Sequence, residues 1–160
     1  MLEANKTPAN SVTRAFDDAR HRRADIYQAI LALEQAAARP AAAREEQWVR
    51  GVIEALAQLE REIVDHIENT EGPDGLFAEI IGIAPRLSHN VQLLRDEHPR
   101  MLEAASTLKA RLTTEPVSDA RAVDETRDEI QRVLGRLVKH RQRGADLVWE
   151  AYNRDIGGEY

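Results

Sequence analysis

Along four stretches of this chain, apolar residues recur at alternating steps of three and four. That rhythm constrains the fold more than any other feature, because only an α-helix brings such positions onto one face. The first seam is Phe16, Ala19, Arg23, Ile26, Ile30, Leu33 and Ala37, and Pro40 marks the break after it. The second is Val49, Val52, Leu56, Leu59, Ile63, His66 and Thr70, stopped by Gly72-Pro73. The third is Leu87, Val91, Leu94, His98, Met101, Ala105, Leu108 and Leu112, broken by the segment TTEPVSD. The fourth is Val123, Thr126, Ile130, Val133, Leu137, His140, Gly144, Leu147 and Ala151, with Gly157-Gly158 as its stop.

Strand-type alternation and internal repeats are both missing, so the expected class is all-α. Four amphipathic helices with short connections predict an up-down-up-down antiparallel four-helix bundle over residues 11–160. Residues 1–10, polar and containing Pro8, are expected to form a flexible tail. Between the second and third helices, Asp74 is expected to cap a short connecting helix, GLFAEIIG, that offers Leu76, Phe77, Ile80 and Ile81.

Composition narrows the chemistry. The chain has 160 residues and no cysteine, which excludes disulfides, thiolate metal sites and cysteine nucleophiles. A formal net charge of −6 argues against a general nucleic-acid binder. No apolar run approaches the ~18 residues needed to span a membrane, and MLEANKTPANS has no apolar core of a signal peptide. The expectation is a cytoplasmic protein that engages neither membrane nor nucleic acid, with a homodimer or a protein partner left open. There is no Gly-rich phosphate loop, and Ser88, Ser106 and Thr70 have no general base at a telling spacing. Basic runs at Arg20–Arg23 and Lys139–Arg143 read as solvated faces or as a local basic patch at one end of the bundle. Trp48, Trp149 and Tyr152 lie beside their seams and are expected to cover the core edge, with a dimer surface as the alternative.

Of five histidines, His66, His98 and His140 fall on the apolar seams of three different helices, whereas His21 and His89 fall off theirs. Imidazole is the commonest metal ligand, and bundle cores are where facing helices build metal sites. Counting ~1.5 Å per residue from the loops puts His66 and His140 at a similar level, with His98 roughly 10 Å higher if its helix starts at Pro85. Pro99 follows His98 directly and is expected to kink that helix.

An inward histidine before "GLF", then "LLRDEH", then a last helix with an inward histidine and the tail "HRQRGADLVWEAYNRDIGG" together resemble the hemerythrin-like (HHE cation-binding) bundles. The resemblance runs from about Asp17 to Gly158. It implies a core site that in typical members holds two non-heme irons between histidines from all four helices and two bridging carboxylates. This chain departs from that pattern. Thr70 stands where a carboxylate is wanted one turn after His66, and Glu71 lies one residue further on. Leu102 replaces a histidine, Gly144 and Ala145 replace the carboxylate after His140, and Asp146 comes one step late. Arg23 takes the histidine position of the first helix, unless that helix shifts in register and turns His21 inward.

The expected reading is therefore a hemerythrin-like bundle with a degenerate di-iron site. It would act as a non-enzymatic binding or interaction domain, with no cofactor or with non-heme iron. Arg23 and Thr70 would join the histidines in a polar core. The alternative is one metal, iron or another, held by His66, His98 and His140 with Glu71 or Asp146, for oxygen or redox sensing. A peroxide-handling enzyme built on the same site is the third reading.

Overall fold

The computed structural model describes residue 14 and residues 26–154. Every regular element among them is helical. Helix α1 covers 26–38. It is followed by α2 (Glu45–Glu71), α3 (Leu76–Ile83), a single 3-10 turn (Pro85–Leu87), α4 (Ser88–Thr114) and α5 (Ala120–Arg154). The expected tail over 1–10, the seam positions Phe16, Ala19 and Arg23, His21 and the Gly157-Gly158 stop lie outside the described residues.

The described seam positions bury as their spacing predicts, except His66 and Gly144, which are half-buried. Leu33, Val52, Leu56, Leu59, Ile63 and Ile130 are wholly enclosed. Each such side chain contributes about 1.5–3 kcal/mol by leaving water. α2 packs on α4, α4 on α5, and α3 on both α2 and α5. Cross-links between helices run in opposite chain order. Glu60 meets Lys109 while Glu71 meets Arg95. Likewise Arg111 meets Glu129 while Glu97 meets Arg143. α1 packs beside α5, with Arg141 over the Tyr27 ring and Arg127 donating to the Ala37 carbonyl.

The turn between α2 and α3 is built on glycines. Gly72 ends α2 and donates its N–H to the Glu68 carbonyl at 3.2 Å. Gly75 then sits so close to the end of α2 that a Cβ there would lie 2.7 Å from the Thr70 carbonyl oxygen. Gly75, not Asp74, holds the N-cap position of α3, and no side chain caps it. The close approach leaves room only for a residue without a side chain. α4 runs unbroken through Pro99, so the missing N–H costs one helical hydrogen bond without ending the helix.

The core divides in two. One apolar cluster holds Leu59, Ile63, Met101 and Leu137 among its members. The other gathers Phe77, Leu94, Leu147 and Val148 around α3. The residues that fall between them along the seams are His66, His98 and His140. A polar layer therefore separates two apolar ones. Trp48 and Tyr152 are buried at the edges of this core. The Trp48 indole donates to the Ala37 carbonyl and the Tyr152 hydroxyl to Glu79. Trp149 does not join them: it is 61% exposed, because two positions beyond buried Leu147 is about 200° round the helix.

Candidate metal centre

The three seam histidines meet. Ring centroids of His66 and His98 are 5.0 Å apart, those of His66 and His140 5.3 Å, and those of His98 and His140 4.9 Å. One nitrogen from each ring lies within 4.8 Å of the others. α4 starts at Ser88, not Pro85, which removes about 4.5 Å of the roughly 10 Å offset expected for His98. The interposed α3 and 3-10 turn set its entry height, which residue counting does not capture.

Carboxylates stand behind two of the rings. Nδ1 of His140 is 2.7 Å from Oε2 of Glu97, whose other oxygen pairs with Arg143. Nδ1 of His98 is 3.2 Å from Oε1 of Glu71, although it is not aligned for a hydrogen bond. Glu71 also lies 3.5 Å from the Arg95 guanidinium. Nε2 of His66 and Nε2 of His140 approach to 3.2 Å. Nδ1 of His66 and both nitrogens of His98 are buried with no hydrogen-bond partner among the described residues. Phe77 stacks flat on His98 at 5.7 Å and closes that side.

The layer is electrically neutral at pH 7. Burial pushes the His66 imidazole down to about 3, helped by the charge that His140 and His98 would carry beside it. Burial, then His140, pushes His98 down to about 4, with Glu97 pulling upward and Arg95 adding to the depression. His140 is also lowered, since burial outweighs the hydrogen bond and charge of Glu97. A neutral imidazole keeps a lone pair, so all three rings are ready ligands without losing a proton.

The other expected residues scatter. Glu71 reaches the cluster from the last residue of α2. Thr70 is buried, but its hydroxyl donates to the His66 carbonyl at 2.8 Å within its own helix, so it adds no ligand. Asp146 is exposed and accepts a hydrogen bond from Gln142, away from the histidines. Arg23 and His21 lie outside the described residues. Sequence reasoning missed Glu97. It belongs to the quoted "RDEH", and its position between Leu94 and Met101, one residue off the seam, was the available signal.

Beside the rings is a cavity of about 30 Å³ lined by His66, His140, Thr70, Phe77, Arg141 and Gly144, among others. That is room for one or two waters or a diatomic molecule. A Cβ added at Gly144 would meet nothing within 4 Å. Among the described residues no helix is long and apolar enough to cross a membrane. Comparison of the chain with protein-family models, with characterised proteins and with solved structures finds no match.

Proposed function

We propose that the chain folds as an up-down-up-down bundle of the hemerythrin type and binds one divalent first-row transition ion through His66, His98 and His140. The observation that carries this is the convergence of three neutral imidazoles, His98 and His140 buried and His66 half-buried, with Glu97 on the far nitrogen of His140 and Glu71 3.2 Å from Nδ1 of His98. A carboxylate hydrogen-bonded to a ring as Glu97 is to His140 orients a metal-binding histidine and raises its basicity. Two nitrogens held ~2.1 Å from one tetrahedral ion lie roughly 3.4 Å apart. The 3.2 Å between His66 and His140 matches that spacing. The full spread of 4.8 Å exceeds that tetrahedral spacing, so the widest pair must close by about 1.4 Å on a bound ion.

A two-iron centre does not fit these residues. The described side chains offer no carboxylate bridge between two ions: Asp146 points away, Thr70 bonds its own helix, and Glu71 and Glu97 sit behind the rings. A nitrogen-rich site with no thiolate suits iron(II), zinc or a neighbouring metal. When bound, such an ion supplies a Lewis-acid position, and with iron a redox-active one. The chain's own residues shape the rest. Phe77, Leu94 and Val148 keep the site dry, and the small cavity admits only a ligand of one or two heavy atoms. We read the protein as a binding or sensing module for such a ligand, without turnover.

The rival reading is a polar layer that only fixes how the helices align. The Nε2–Nε2 contact favours it, because the two rings satisfy one another without an ion. Loading purified protein with Fe(II) without air, and separately with Zn(II) and Mn(II), then desalting and measuring metal separates the two. We expect about one ion per chain, lost in His66→Ala and His98→Ala variants that remain helical. No retained metal, or retention unchanged in both variants, would leave the structural layer. About two irons per chain would overturn the single-ion reading.

A further inference from the structure

A second feature lies outside the histidine layer. Along α5, Arg132, Arg136, Lys139 and Arg143 recur every three or four residues and form one cationic stripe. Like charges one turn apart each cost an isolated helix a few tenths of a kcal/mol. Elsewhere the same helix places acids at that spacing, as with Arg121 and Glu125. α4 faces the stripe with Arg100. Two adjoining hollows open between the helices, one of about 460 Å³ and one of about 150 Å³, and Arg100 and Arg136 line both. The larger adds Arg132, and the smaller adds Lys139 and Arg143.

The charges in this groove do not balance. Its five cations face three carboxylates, Glu97, Glu103 and Glu129. Two of those are already engaged, Glu129 by Arg111 and Glu97 by Arg143 and His140. Arg100, Arg132, Arg136 and Lys139 have no ion pair among the described residues. A local surplus of two positive charges thus persists in a chain whose net charge is −6.

We propose that the α4/α5 groove binds a small molecule carrying two anionic groups, one in each hollow, clamped between Arg100 and Arg136. Guanidinium groups on two facing helices suit phosphate or carboxylate oxygens, which they can grip in pairs. The smaller hollow fits a single anionic group, and the larger is within the size range of small-molecule sites. The groove touches the histidine layer at one residue. Glu97 divides its carboxylate between Arg143 and His140. An anion that draws Arg143 away leaves Glu97 to His140 alone, so occupancy of the groove is felt at the imidazole.

The test uses the full chain free of metal, so it stands whether or not the histidines bind an ion. Calorimetric titration with pyrophosphate at about 50 and 150 mM salt is expected to give saturable one-to-one binding. Replacing both Arg132→Ala and Arg136→Ala, two exposed positions, should weaken it at least about tenfold with the helical spectrum unchanged. Arg50→Ala with Arg121→Ala removes the same charge elsewhere and should leave it within about twofold. Side-chain nitrogen resonances of His140 should shift on saturation. Citrate in parallel separates a carboxylate ligand from a phosphate one, and saturation by either supports the site. No saturable binding of either, or equal weakening in both double variants, overturns the proposal.

Discussion

Acidification should destabilise the metal-free protein well before its carboxylates protonate. In the unfolded chain a histidine titrates near 6.5. In the folded chain His66 is held at about 3 and His98 at about 4. Below pH 6.5 the unfolded state therefore binds protons that the folded state refuses. Their stabilisation is complete above that value and declines as pH falls toward the folded pKa values. At pH 5 the unfolded imidazole is favoured by 1.5 pH units, or about 2 kcal/mol per residue. Together the two reach about 4 kcal/mol, and His140 acts in the same direction. Against the 5–15 kcal/mol of a typical domain this is a large share. Urea denaturation of the metal-free protein at pH 7, 6 and 5 reads the loss directly. His98→Leu should remove about 2 kcal/mol of the pH dependence. A change of less than about 1 kcal/mol between pH 7 and pH 5 would refute the reasoning, because it would mean the imidazoles are already solvated or charged in the folded state.

Further outcomes follow from single residues. Glu97→Gln should lower metal affinity about 10- to 100-fold with little change in the unfolding midpoint of the metal-free protein, checked by competition with a chromophoric chelator. Gly144→Ala should stabilise by up to about 1 kcal/mol, since the added Cβ meets open space and helix propensity rises. Gly144→Asp should strengthen metal retention by adding a carboxylate at the cavity wall, read in the same chelator assay. Gly75→Ala should cost about 1–3 kcal/mol in thermal or urea unfolding, because its Cβ would press on three carbonyl oxygens.

Much of this was legible because burial follows helical phase. His66, His98 and His140 each sit in step with buried neighbours such as Ile63, Leu94 and Leu137, so their inward direction could be read from spacing. Height along the bundle could not. It depends on how α3 and the turn at Pro85–Leu87 fold, and that moved His98 into the layer. Phase also leaves flanking positions ambiguous. Glu97 and Glu71 both flank a seam, and which neighbouring helix each one meets is decided only by packing. Asp146 looked close in sequence, but two residues past Gly144 is about 200° round the helix, which carries it into solvent. The unbalanced groove was half visible. The run Lys139–Arg143 was plain, whereas the shortage of acids opposite it depended on which face of α4 turned toward α5.

The contact between Nε2 of His66 and Nε2 of His140 also fixes where the protons sit. A carboxylate can only accept, so neutral His140 keeps its proton on Nδ1 and donates it to Glu97. Its Nε2 is then bare and must receive the proton of His66. That leaves His66 with a bare Nδ1, buried and with no donor among the described residues. The three groups form a one-way chain of donation, His66 to His140 to Glu97, in which a single tautomer is allowed at each ring. An ion arriving at Nε2 of His66 has to send that proton across the ring to Nδ1. Because the imidazoles are already neutral, this is a rearrangement and not a release, and metal affinity should stay nearly level from pH 8 down to about 6.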